Sequence, residues 1–364
     1  GPTLVSSTTN AVWTLVGNAT IFQPPVDASG PFGYLAEKAS TNLVARSQEL
    51  GTSPWYMLST VFTNNSIEAP DGTITGGLFQ ATGSLNYMIG ELSYTYSAAS
   101  YTWSMWAKAG TYSYLCLDLS NSSNHGAVFD LSDGSIGFTN AGITSTIESY
   151  PNGWYRCSVT ETNPSGYKLD YYASESRTAN KRIWTTAPAG TENFYVWGGQ
   201  LETSTYPTSY IATTTTAVTR NADVLIAGDM VTDAAGSGYA EASSIWSTPS
   251  AVNNNFLLTR NPTGRLIYSG TSSTQIVAFN GSNQAFASGT SYQYRPAPMA
   301  STWGDNLTLY LDGVGGTPAA YNGAFGTGNL GIGNQNDGAR QWGGTVREVK
   351  IFNSELTAAE VGDL

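Results

Sequence analysis

The residues of this chain best suited to chemistry are aromatic. Ten tryptophans and 22 tyrosines stand against one histidine and two cysteines. A flat ring covers the apolar face of a pyranose, while a nearby Asp, Asn or Arg bonds its hydroxyls. In the first half, strand alternation collects Trp106, Tyr112, Tyr114, Trp154, Arg156, Asp170 and Tyr172 on one face, opposite the leucines of Tyr114-Leu115-Cys116-Leu117-Asp118-Leu119. Trp197 is expected to flank that face. The plainer reading is that the face packs under loops or against a neighbouring subunit. In the second half Trp303, Tyr310 and Trp342 are the candidate platforms.

Other chemistries find less material. The loop Asn334-Gln335-Asn336-Asp337-Gly338, with Asp312-Gly313 beside it in related folds, offers oxygens to a calcium ion through Asp312, Asn334, Asn336 and Asp337. The alternative is an Asn/Asp/Gly turn that bonds its own backbone. No cofactor is required, and calcium is the one ion weighed. His125 sits in the Gly/Asn/Ser-rich stretch Asn121–Gly126 and reads as a surface-loop histidine rather than a triad member. No Gly-x-Ser-x-Gly elbow and no Gly-x-x-x-x-Gly-Lys phosphate loop occurs. A glycosidase needs two carboxylates roughly 5–9.5 Å apart, whereas Asp118 and Asp170 are expected to stand alone on their faces. No catalytic residue is expected, and the chain reads as a non-enzyme.

The bulk numbers narrow the partners. Charged residues make up 11% of the 364 and the net charge is −11. Nucleic-acid binding leans on cations that neutralise phosphates, so this charge argues against it, and against docking on anionic lipid. No apolar run approaches the ~18–20 residues of a membrane span. Gly1-Pro2 reads as a scar of tag cleavage, and the chain is expected to be an excised fragment. Cys116 and Cys157 fall on opposite strand faces, Cys116 away from the leucines and Cys157 on the core side, so both are expected as free thiols.

The elements that must hold these residues are strands. Short apolar-aromatic runs separated by turn residues predict an all-β chain of two antiparallel sandwiches of jelly-roll type in tandem. Tyr101 to Lys108 alternates with Tyr101, Trp103 and Met105 inward and Trp106 and Lys108 outward. Leu307, Leu309 and Leu311 form a second core face, with Thr308, Tyr310 and Asp312 opposite. Strands are also expected at Ala11–Val16, Ala19–Phe22 and Gln293–Arg295. Thr357-Ala358-Ala359-Glu360 has capping-box spacing and predicts one short C-terminal helix. The boundaries expected are a segment 1–34 packing on the first domain, a sandwich over 35–212, a linker at 213–222 and a sandwich over 223–364.

Several stretches resemble known families. YLAEKASTNLVARSQ (34–48), YTWSMWAKAGTY (101–112), NGWYRCSVT (152–160) and YVWGGQLETSTYPTSYIATTTTAVTRNAD (195–223) resemble a domain common in the tail, fibre and spike proteins of tailed phages, itself similar to jelly-roll carbohydrate-binding modules. LTLYLDGVGGT (307–317), NLGIGNQNDG (329–338) and the closing WGGTVREVKIFNSELTAAEVGDL resemble the concanavalin A-like or laminin-G-like lectin fold. The resemblance implies an adhesin on the surface of a phage or phage-like particle that binds host cell-surface polysaccharide such as capsule. Its partners would be glycan and other virion proteins, with a homo-oligomer possible. A structural module that spaces or trimerises a fibre is the alternative, and a polysaccharide-degrading enzyme comes third.

Overall fold

The computed structural model describes residues 34–120, 125–244, 255–260, 264–270, 274–293, 295–322, 325–335 and 340–364. The strands expected before residue 34 lie outside these. The described chain is all-β, and every ladder in it is antiparallel. It forms two compact units, one of Ser40–Arg220 and one of residues 34–39 with Asn221–Leu364.

The first unit is a sandwich of two six-stranded sheets. Sheet I runs in the order Ser135–Thr139, Gly126–Asp130, Tyr114–Asp118, Lys168–Ala173, Ile89–Ser93, Tyr56–Leu58. Sheet II runs Thr144–Tyr150, Trp154–Thr162, Ser100–Ala109, Asn193–Glu202, Gly76–Ala81, Thr60–Ile67. Between them lie Leu115, Leu117, Phe129, Leu169 and Tyr171 of sheet I, with Trp103, Met105, Val159, Phe194 and Val196 of sheet II. Alternation explains the choice: Trp103, Met105 and Ala107 share the inward face of one strand while Trp106 points out.

Sheet II depends on a glycine pair. The strand Asn193–Glu202 runs through Gly198-Gly199 with a bulge between Trp197 and Gln200. Gly198 adopts φ 66°, a left-handed backbone that glycine takes without a Cβ clash. A Cβ on Gly198 would lie 2.8 Å from the Trp106 ring, and one on Gly199 would lie 2.9 Å from Trp103. The pair therefore lets a tryptophan close in on each face.

Two boundaries differ from expectation. Residues 213–222 were expected as a linker, but Thr213 donates from Oγ1 to Val44 O at 2.6 Å, and Val218–Arg220 pairs with Ser40–Asn42. The first unit therefore extends to Arg220. The leading strand Tyr34–Ala36 pairs with Val346, Thr345 and Gly344, so it is an edge strand of the second unit rather than part of the first.

The second unit is also a sandwich. Its seven-stranded sheet III runs Tyr34–Ala36, Gly344–Phe352, Gly236–Ala242, Ala297–Trp303, Asn306–Leu311, Val314–Gly315, with Ala319–Ala320 also on Asn306–Leu311. Sheet IV runs Leu225–Ala227, Leu330–Ile332, Phe256–Thr259, Arg265–Ser269, Gln275–Phe279, Gln284–Ser288. Leu307, Leu309 and Leu311 are buried as predicted. Of the strand expected at Gln293–Arg295, Gln293 forms a single bridge, residue 294 lies outside the described residues, and the next strand starts at Ala297. The C-terminal helix Ala358–Gly362 forms as its capping box requires, with Thr357 and Glu360 bonding each other's backbone N–H.

Candidate functional site

Sheet III carries a row of outward side chains set by strand register. Lys350 pairs with Tyr239, Tyr239 with Ala300, and Ala300 with Tyr310. Two tyrosines thus stand two strands apart with only a methyl between them. Beyond Tyr310 the chain turns through Asp312 (φ 51°) and Gly313 (φ 75°), the two positive values that a two-residue type I′ hairpin demands and that Asp-Gly supplies. Asp312 N bonds Pro298 O at 2.9 Å, which holds the turn beside the row.

The C-terminal helix lies over this face, with Leu356 and Val361 packed among Tyr239, Ala300, Tyr310 and Phe352. A cavity of about 220 Å³ remains, lined by Tyr239, Pro298, Met299, Ala300, Tyr310, Asp312, Gly313, Val361, Gly362 and Leu364. Asp312 and Gly313 are exposed at its mouth, and the tyrosines form buried walls. Burial, helped by the charges of Glu241 and Glu348, raises the Tyr239 phenol, so it stays a neutral donor. Lys350 Nζ sits 4.9 Å over the Tyr239 ring and 3.2 Å from Glu348. The site offers two aromatic walls, a carboxylate and no lining cation, an arrangement that suits a ring with polar edges.

Of the residues singled out in the sequence, Tyr310 and Asp312 meet here. The others go elsewhere. The single aromatic face expected in the first half is in fact two outer faces on opposite sides of the sandwich, because Trp106, Trp154, Arg156 and Trp197 belong to sheet II while Tyr114, Asp170 and Tyr172 belong to sheet I.

Neither face is an open platform. Trp106, Trp154 and Trp197 form a closed cluster with Tyr150, Tyr210 and Ala69. Trp154 Nε1 donates to Glu68 O at 3.1 Å and Trp197 Nε1 to Thr75 Oγ1 at 2.9 Å. The Arg156 guanidinium lies 4.4 Å over Trp106 and donates to Thr208 O at 2.6 Å. Loops on both sides thus seal rings that a sugar would need to reach. On sheet I, Tyr172 is fully buried, and half-buried Tyr112 stacks on Trp184 at 5.0 Å, with Tyr114 5.6 Å from Tyr112. In the second unit Trp303 and Trp342 are also fully buried, donating to Thr232 O and Ser243 O, each at 2.8 Å.

Two of the four candidate calcium ligands, Asn334 and Asp312, fall within the described residues. Asn334 is buried near sheet IV, its amide donating to Ile332 O at 2.9 Å, while Asp312 is exposed in the sheet III hairpin. Asn336 and Asp337 lie outside the described residues. Among the described residues no group of three His, Cys, Asp or Glu could hold a metal ion. His125 pairs with Glu161 at 2.7 Å.

One constellation escaped the sequence. Asp118 and Asp170 do not stand alone: they are direct cross-strand neighbours, and Glu91 faces Asp170 from the other side. Arg182 reaches over the row, 3.1 Å from Asp170 Oδ2 and 3.2 Å from Glu91 Oε2, and Lys168 pairs with Glu91. Asn180 donates to Asp118 at 3.1 Å. Burial is the main cause of a rise in both aspartates, and Asp170 is pushed up to about 8. No signal in one strand could reveal this, because the row exists only in the register between three.

Residues 231–362 match the family model of the concanavalin A-like lectin/glucanases superfamily. That match falls within the second unit. No curated protein matches the chain. Among solved structures, a Bacteroides ovatus protein with a suggested carbohydrate-binding role is 11% identical, with 79% of this chain and 78% of that one covered at a TM-score of 0.31. Domains LG4-5 of the mouse laminin alpha1 chain are 11% identical over 81% and 91% of the two chains, at a TM-score of 0.25. The tandem CBM22 domain of Paenibacillus barcinonensis Xyn10C is 10% identical over 88% and 99%, at a TM-score of 0.28. At these TM-scores the likeness carries no functional weight.

Proposed function

We propose that the chain binds carbohydrate through its second unit, in the cavity walled by Tyr239 and Tyr310, and does not cleave it. The observation that carries this reading is a coincidence of place. The lectin-family match spans residues 231–362, and within that span an aromatic slot opens beside an exposed carboxylate. Binding without cleavage is supported by the lining, where Asp312 is the one carboxyl side chain, whereas glycoside hydrolysis ordinarily uses two carboxylates. The first unit serves as structural support, its tryptophans being spent on its own packing. The setting is that of an adhesin on a phage or phage-like particle, carried by the likeness of 34–48, 101–112, 152–160 and 195–223 to tail and fibre domains, and its target is host cell-surface polysaccharide. Calcium is not needed for it.

The test is binding of the whole protein to a glycan array, and to intact host cells with and without capsule. Retention that survives EDTA and weakens in Tyr310→Ala is the expected result. Failure to retain any glycan at millimolar sugar would overturn the reading and leave a structural fibre module in its place.

A further inference from the structure

The Tyr239–Ala300–Tyr310 row and the Asp312 turn constrain what the cavity can hold. Neighbouring strands lie ~4.8 Å apart, so the two tyrosine backbones are separated by roughly 9.6 Å, with only the Ala300 methyl between them. Leu356 and Val361 pack into that gap, and the space left beside them is the cavity that Tyr239, Tyr310 and Val361 line. The volume of about 220 Å³ is below the ~300–1,000 Å³ of sites for drug-sized ligands, which favours a single terminal residue over the interior of a glycan chain.

The charges are one-sided. Asp312 is exposed at the mouth, and its carboxylate has no hydrogen bond or ion pair among the described residues. No arginine or lysine lines the cavity. Lys350, the cross-strand neighbour of Tyr239, is paired with Glu348 at 3.2 Å and donates to Leu364 O at 3.5 Å, and it shows that the Tyr239 ring accepts an ammonium, with Nζ 4.9 Å from the ring centre. A free carboxylate beside tyrosine faces is the environment that attracts a substituted ammonium.

We propose that the cavity selects a terminal pyranose bearing a protonated amine, an unacetylated amino sugar, with the ammonium held between Asp312 and a tyrosine face. This rests on the lectin reading of the second unit. The sugar ring occupies the slot and the charge sits at its mouth.

The test titrates the full protein, at about pH 6 where the amine is charged, with methyl glucosaminide, its N-acetyl counterpart, methyl glucoside and an Nα-blocked lysine amide. The glucosaminide is expected to bind about fivefold or more tighter than the two neutral sugars. Asp312→Asn should shrink that advantage to within about twofold, without weakening the neutral sugars. Asparagine tolerates the positive φ of this turn, so the variant keeps its fold, checked by an unchanged thermal midpoint. Neutral sugars binding as well as the amine, or an Asp312→Asn protein that keeps the preference, would overturn the proposal while leaving the lectin reading standing. Tighter binding of the lysine amide than of the glucosaminide would also overturn it, in favour of a protein amine. Binding of no probe, together with no retention on the glycan array, would end both readings.

Discussion

Asp170 lies directly across the ladder from Asp118, both buried, with Glu91 on the far side and Arg182 bridging Asp170 to Glu91. Two adjacent carboxylates in a dry place cannot both ionise cheaply. Burial pushes Asp170 up to about 8 even against the pull of Arg182. The folded protein then holds a proton that the unfolded chain releases. The stability this brings is fully present below the unfolded value near pH ~4 and is lost as pH rises through about 8. We expect the first unit to lose at most about 1.4 kcal/mol per pH unit across that window. Urea denaturation at about pH 5, 7 and 9 should show the decline, and Asp170→Asn should flatten it. An unaltered profile in that variant would place the proton on another member of the row.

The buried tryptophans give a second expectation. Trp106→Ala or Trp154→Ala should destabilise the protein by ~3–5 kcal/mol, the cost of a large cavity in a closed cluster. Sugar affinity of the protein that remains folded should stay within about twofold of the parent. Thermal unfolding and sugar titration on the same samples separate the two effects. A variant with normal stability and lost binding would restore these rings as a binding face.

Thiol chemistry offers a third. Cys116 packs with Ile89, Val128 and Tyr172 on the outer face of sheet I, and Cys157 lies in the core. They are free, as the strand alternation predicts, and burial pushes both thiols well above their ordinary value. Iodoacetamide should leave both unmodified in the native protein and label both in denaturant, read by intact mass. Rapid native labelling of either would mean that its cover opens readily.

The fourth concerns a clamp in the second unit. Arg260, 5% exposed, bonds Asp229 at 2.7 Å and Asp233 at 2.9 Å, tying down the segment whose Thr232 carbonyl receives Trp303 Nε1. Because both aspartates are partly exposed, Arg260→Ala should cost only ~1–2 kcal/mol. Hydrogen exchange should accelerate at residues 229–233, while exchange at Asp312–Gly313 stays unchanged. Equal protection at 229–233 would show that the clamp adds nothing to local order.

The parts legible in the sequence share one property: they depend on residues close together in the chain. Period-two alternation put Leu307, Leu309 and Leu311 inward and Tyr310 outward, and set Trp103 against Trp106. Thr357 with Glu360 required a capped helix. The misread parts depend on distant residues. Tyr34–Ala36 looks like the start of the first domain until its partner at Gly344–Val346 is known. Trp106 and Tyr172 look like one face until their strands are assigned to different sheets.

By itself, the sequence determined an all-β chain, its turn chemistry, its free cysteines and the outward position of Tyr310 and Asp312. These follow from backbone sterics and the strand period, which act over a few residues. Only the tertiary structure decided which outward residues stay reachable and which side chains meet. Tyr239 joins Tyr310 across Ala300, and Glu91 joins Asp170 and Asp118, through register between strands far apart in the chain. Trp106 and Trp154 are sealed by loops contributed from elsewhere. Alternation tells a side chain which face it takes, while pairing and cover depend on long-range packing that no local pattern encodes.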